Sequence, residues 1–230
     1  TYLGCESGPN MFTNTTLLPL RGNLIWHTNV LKLSCWSCGK EVQTLISNLF
    51  CSHCKVLQKP SEKENYFQLM GMEETYDVDD KYLAKKYKEL QGYLHPDRFS
   101  NKEEDEKVIS DTYSSLVNEA YKTLLEPLAR GIYMLNLRGH NITDNAEVDQ
   151  GFLMEIMEKN EEVEHADTEE EIMRLNSENK TIIKDLQLEL SKAFSDGDIK
   201  LVTKFLSKMK YFTSIDNQIQ SLIRNKGIIR

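Results

Sequence analysis

The chain has 230 residues, of which 40% are apolar and 28% charged, with a formal net charge of −8. That length suits two small domains, and the acidic balance argues against a general nucleic-acid binder, whose surfaces are basic. No apolar run approaches the roughly 18 residues needed to cross a bilayer, and with only 11 glycines and 5 prolines to interrupt helical spacing the expected fold is mostly α.

From Met11 to Lys40 there is no Asp or Glu, and Arg21, His27, Lys32 and Lys40 supply the charge. Residues 1–33 are therefore read as a leader, either disordered or targeting; acid-poor composition suits an organelle transit peptide. The preferred location is mitochondrial, in the matrix, and a cytosolic pool is compatible with the same sequence. Cys5 stands alone and is read as an inert thiol.

Residues 34–59 hold the other four cysteines as two C-x-x-C pairs, Cys35/Cys38 and Cys51/Cys54, separated by 12 residues. Each pair can aim two thiolates at one metal, and two pairs form the tetrahedral sulfur cage that Zn²⁺ prefers. The spacer is shorter than in the usual zinc ribbon, yet it accommodates a small hairpin or loop with apolar Val42, Leu45, Ile46, Leu49 and Phe50. A segment so short has little core of its own, so the metal would supply its folding energy. A redox dithiol pair and an iron–sulfur ligand set are the rival readings; one structural zinc is the reading adopted. His53 is taken as a bystander beside four thiols.

After a linker at Pro60–Glu64, residues 64–138 read as a helical hairpin module. A short helix begins at Asn65-Tyr66-Phe67 and ends near Gly71. Residues 81–94 follow, with Leu83, Tyr87, Leu90 and Leu94 on one stripe and Lys81, Lys85 and Lys88 opposite. Asp79 and Asp80 suit its N-terminal cap and dipole. Pro96 disfavours helix at His95, so this helix stops there and His95-Pro96-Asp97 forms a shaped loop. A third helix places Ile109, Tyr113, Leu116 and Ala120 on one face, flanked by Val117 and Leu124. YFQLMG, YLHPDRF and VNEAYKTLLEPLARGIYML together resemble a J-domain, the module that triggers ATP hydrolysis by DnaK-type chaperones. The resemblance implies that His95, Pro96 and Asp97, with Lys85 and Lys88, bind the chaperone. Basic groups would steer it onto an acidic surface, and the loop would bias the partner's conformational equilibrium.

Residues 147–225 carry three helical patterns, expected to form an antiparallel three-helix bundle. Val148, Phe152, Ile156 and Val163 make the first stripe. Thr168-Glu169-Glu170-Glu171 is a capping box for the second helix, which carries Ile172, Leu175, Ile182, Leu186, Leu190 and Phe194. Gly197 ends that helix, and Asp198 caps a third bearing Ile199, Val202, Leu206 and Met209. With Phe152 at zero, Ile156 and Val163 lie within about 40° of it, whereas Leu153, Met157 and Met154 fall about 100°, 140° and 200° round. These apolar residues off the core stripe, mixed with Glu158 and Glu161, are either a second packing face or a partner-binding patch. Residues 147–171 hold eleven carboxylates and one lysine, which favours a basic partner surface.

The cysteine module, HPDRF, PLARGIYML, DQGFLMEIMEKNEE and KMKYF, in that order, resemble the HscB (Jac-type) branch of J-proteins, co-chaperones of iron–sulfur cluster assembly. The resemblance covers about 35–225. It implies that the bundle binds an IscU-type scaffold through Leu153, Met154, Met157, Glu158, Glu161 and Tyr211. It also implies a mitochondrial DnaK-type ATPase as second partner, cluster recipient proteins beyond it, and no enzyme activity of the chain's own. A generic J-protein recruiting unfolded clients is the alternative. No convincing nucleophile–base pair or phosphate loop occurs, and His140 and His165 are isolated.

Overall fold

A computed structural model describes residues 33–42, 49–60, 65–142 and 149–228. The readings placed on the leader, Cys5, Leu45, Ile46 and Val148 lie outside the described residues.

The fold is mostly α, preceded by two short knuckles. Strand β1 (Leu33–Ser34) pairs antiparallel with β2 (Glu41–Val42), Leu33 opposite Val42. Between them Cys35 N–H donates to the Lys40 carbonyl at 2.7 Å, and Gly39 N–H to the Cys35 carbonyl at 2.9 Å. The second knuckle repeats this pattern: Cys51 N–H to Val56 at 2.9 Å, Lys55 N–H to Cys51 at 3.0 Å. Both turns need a left-handed residue four positions after the first cysteine. Gly39 (φ 69°) meets this freely, whereas Lys55 adopts φ 62° against the Cβ sterics that disfavour it.

Helix α1 (Tyr66–Leu69) starts with a capping box between Asn65 and Gln68. Helix α2 (Asp80–Tyr93) is capped by the Asp79 carboxylate, which accepts from Lys81 N–H and Tyr82 N–H. It ends at Leu94, and Pro96–Arg98 forms a single 3₁₀ turn. Helix α3 (Glu104–Leu125) returns antiparallel to α2, and α4 (Pro127–Leu137) follows with proline in its first turn, where its missing N–H costs nothing. The buried stripe of α3 is Ile109, Tyr113, Val117, Ala120 and Leu124. Leu116, expected on that face, is only half-buried, because the core lies along the i, i+4 row through Val117. A polar clasp joins the hairpin: Tyr87 hydroxyl donates to Asn118 Oδ1 at 2.8 Å, and Gln91 bridges Asn118 and Ser114.

The C-terminal helices are α5 (Gln150–His165), α6 (Glu169–Asp196) and α7 (Ile199–Asn225). Thr168 and Glu171 form the capping box, and Gly197 closes α6 at φ 72°. Phe152, Ile156 and Val163 of α5 pack with Ile172 and Leu175 of α6 and with Phe212, Ile215, Ile219 and Ile223 of α7. At one end Phe152 meets Tyr211 and Phe212 edge-on, and at the other the Lys226 ammonium binds the Ala166 and Asp167 carbonyls. Helix α5 therefore covers only the C-terminal half of α7.

The N-terminal half of α7 is buried differently. Val202, Leu206 and Met209, with Leu190, Ala193 and Phe194 of α6, belong to the same core as α1–α4. Tyr76 stacks on Phe194 at 5.3 Å, and the buried Arg130 guanidinium lies 5.2 Å from the Tyr76 ring while donating to the Leu124 carbonyl. Gly131 lets α4 approach α7: a Cβ there would stand 2.5 Å from Leu206 Cδ2. The hairpin module and the bundle thus share apolar side chains along α7. Among the described residues no helix is long and apolar enough to cross a membrane.

Candidate functional site

Three surfaces carry chemistry. The first is the loop after α2. His95 takes the N-cap position of the 3₁₀ turn, and its Nδ1 accepts Asp97 N–H at 3.3 Å. One Asp97 carboxylate oxygen lies 3.4 Å from the same nitrogen, an ion pair whenever the ring is protonated. That carboxylate is 91% exposed, an acceptor presented to solvent on a backbone held by turns. Arg98 N–H donates to the His95 carbonyl and Phe99 N–H to Pro96, while the buried Phe99 side chain anchors the loop to the core. Lys81, Lys85 and Lys88 are exposed along α2, as their spacing predicts. Sequence reasoning missed the aromatics beside them. Tyr82 and Tyr93 are exposed, with Lys86 over the first ring and Arg98 over the second. Tyr82 and Lys86 sit at i, i+4, a spacing that could have revealed the pair.

The second surface lies on α5. Phe152 and Ile156 are buried, whereas Leu153 is 37%, Met154 58% and Met157 62% exposed. Glu158 and Glu161 are also exposed beside them. The helical-wheel alternative of a second packing face is therefore not realised among the described residues. Tyr211 is half-buried against Phe152, at the edge of this row rather than within it. Lys208 lies 4.9 Å from the Phe152 ring, so the margin toward α7 is basic, a feature not read from the sequence.

The third is the cysteine cluster. The four sulfurs lie within 4.8 Å of one another, with Cys35 and Cys54 3.6 Å apart and Cys38 and Cys51 3.8 Å apart. These separations exclude a disulfide. They match a tetrahedron whose metal–sulfur bonds are about 2.3 Å, for which sulfur–sulfur edges are about 3.8 Å. Burial opposes the Cys35 thiolate, but N–H groups of Cys38 and Ser37 and the Gln58 amide outweigh it and bring that thiol down to about 6. N–H groups of Cys54 and His53 lower Cys51 likewise. Val56 N–H favours the Cys54 thiolate too, yet burial and the neighbouring sulfurs push it up to about 11. Four thiolates so close repel one another, and a divalent cation removes that repulsion. The cluster can therefore hold a metal ion. His53 is exposed and lies outside the four-sulfur set.

Residues 148–220 match the family described as the HSCB C-terminal oligomerisation domain. The chain is 39% identical over 189 residues to the iron-sulfur cluster co-chaperone protein HscB of Mus musculus, covering 81% of each chain. It is 38% identical over 194 residues to the Homo sapiens protein of the same name, covering 81% of this chain and 80% of that one. In structure it resembles crystalline human HscB with a TM-score of 0.78 and 38% identity, over 83% of this chain and 98% of the other.

Proposed function

The chain belongs to the HscB family of iron–sulfur cluster co-chaperones, and from that premise we propose that it is a two-ended adaptor. Residues 64–138 act as a J-domain: His95, Pro96 and Asp97, with Lys85 and Lys88, engage a mitochondrial DnaK-type chaperone and stimulate its ATP hydrolysis. Residues 147–225 carry an IscU-type scaffold on Leu153, Met154, Met157, Glu158 and Glu161, with Tyr211 at the margin, for cluster transfer to recipient proteins. Residues 34–59 hold one structural zinc on Cys35, Cys38, Cys51 and Cys54, and the protein works in the mitochondrial matrix. The chemistry stays in the partner ATPase, so the chain is an activator and not an enzyme.

The observation that carries this reading is the exposed Asp97 carboxylate on a loop anchored by Phe99. A charged acceptor presented on a fixed backbone can bind at little ordering cost, which a trigger for another protein's conformational change requires. The exposed Leu153, Met154 and Met157 support the second half, because apolar side chains grouped at a surface mark interaction sites.

The test is steady-state ATP hydrolysis by a mitochondrial DnaK-type chaperone, with the scaffold present and absent. The wild-type chain should stimulate hydrolysis, and the scaffold should raise it further. His95→Gln and Asp97→Asn should each abolish stimulation while leaving far-UV circular dichroism unchanged. Undiminished stimulation by either variant would sink the assignment. Binding only to denatured clients, with none to folded scaffold, would favour the generic J-protein instead.

A further inference from the structure

The cysteine module is not an appendage to the helical hairpin. Leu49 and Leu57, which flank the second knuckle, are buried in the same core as Leu94, Phe99 and Ile109. Leu57 is the joint. Its carbonyl accepts from Trp36 Nε1 of the first knuckle at 2.7 Å, and its N–H donates to Glu106 Oε1 at 3.3 Å. Glu106 stands in the first turn of α3 and is only 6% exposed. The helix dipole favours a carboxylate there, but an exposed one would satisfy the dipole equally well. Burial adds a desolvation cost that hydrogen bonds must offset. Besides Leu57 N–H, its ion-pair partner is Lys102 Nζ, at 3.9 Å from Oε2.

From Glu106 the path to the loop is short. One helical turn on, and on the same face, the Ser110 hydroxyl donates to the Leu94 carbonyl, the residue preceding His95. On the other side, Glu106 N–H donates to Glu103, Lys102 N–H to Phe99 and Phe99 N–H to Pro96. Helix α3 therefore holds the entry of the loop through Ser110, and its first turn holds the exit. We propose that Glu106 is a positioning residue that couples the cysteine module to the His95–Asp97 loop through Leu57, so that metal in the cage sets the order of the chaperone-facing loop. The residues of the second knuckle and those after it keep their register only while the sulfurs are gathered, and a segment this small has little else to hold it. Loss of the metal frees Leu57, leaves Glu106 short of a donor and loosens the first turn of α3. The consequence for ATPase stimulation rests on the proposed function; the change in loop order does not.

Hydrogen exchange on the full chain tests this, comparing protein loaded with Zn²⁺ and protein stripped by a chelator. Amides of 94–110 should exchange about tenfold faster after stripping, the scale of one lost hydrogen bond to a charged group, while those in the middle of α7 stay protected. Glu106→Ala in the Zn²⁺-loaded protein should reproduce that local loosening. Glu106→Gln retains an acceptor for Leu57 N–H but loses the charge that Lys102 and the helix dipole favour, and should keep clearly more protection than Glu106→Ala. Stimulation of the chaperone should fall in parallel with loop protection. Unchanged exchange at 94–110 after stripping would overturn the proposal, as would α7 loosening equally, or Glu106→Gln behaving like Glu106→Ala. If Zn²⁺-loaded wild type gives no stimulation, the proposed function fails, and the exchange comparison still decides the coupling.

Discussion

Replacing glycine by alanine at two helical positions should move stability in opposite directions. In α2, Gly92 has nothing within 4 Å of a built Cβ. Gly92→Ala there should stabilise the fold by about 1 kcal/mol, the helix-propensity difference between the two residues. In α4, a Cβ at Gly131 would stand 2.5 Å from Leu206 Cδ2 and 3.3 Å from Tyr76 Cε2. Ordinary carbon contacts are about 3.5–4.0 Å, so the overlap with Leu206 is roughly 1 Å. Both neighbours are buried, and neither can swing into solvent. Overpacking of this kind costs about 1–3 kcal/mol, against the same propensity gain of about 1 kcal/mol. Gly131→Ala should therefore destabilise by up to about 2 kcal/mol, and the two variants should differ by about 1–3 kcal/mol. Urea unfolding at 25 °C followed by circular dichroism measures both. If Gly131→Ala stabilises as much as Gly92→Ala, the close approach of α4 and α7 is not what joins the hairpin module to the bundle.

Leu153→Ala combined with Met157→Ala should weaken scaffold binding by at least about tenfold, the scale of truncating central interface side chains. Both residues are exposed, so the unfolding midpoint should barely move; isothermal titration and urea unfolding read the two effects. Metal analysis should find one bound ion per chain, lost in Cys51→Ser, while helical circular dichroism is largely retained because the four ligands lie outside α1–α7. Acid should fray the start of α6. Thr168 N–H and hydroxyl, then Asp167 N–H, hold Glu171 below its ordinary value of 4.5. A carboxyl lowered in the folded state stabilises above its unfolded value, and that contribution disappears as pH falls through the folded value. Protection factors of amides 167–172, taken against the intrinsic exchange rate at each pH, should fall below pH 4.5 in wild type and depend less on pH in Glu171→Gln.

Much of the site was legible because its signals are local. Asp79, Thr168, Gly197 and Asp198 mark helix ends by chemistry that acts within one turn. Angles around α5 separated buried Phe152 and Ile156 from exposed Met154 and Met157, because a helix has one core-facing stripe and 3.6 residues per turn. The paired C-x-x-C spacing announced a sulfur cage for the same reason: each knuckle is one turn. Leu116 packs at the edge of the core and Val117 at its centre, because a helix wheel does not say which of two adjacent rows the partner helix will choose. Lys208 over Phe152 and Arg130 over Tyr76 join residues distant in the chain, where periodicity has no reach.

The sequence by itself therefore determined the elements, their ends and the motifs proposed to recognise partners, since these depend on residues within a few positions of one another. The tertiary structure alone decided how they are joined. Leu206 at Gly131 merges the bundle with the hairpin core, and Leu57 at Glu106 ties the cysteine module to the loop. Those contacts follow from shape and burial between segments tens of residues apart, and no local pattern encodes them.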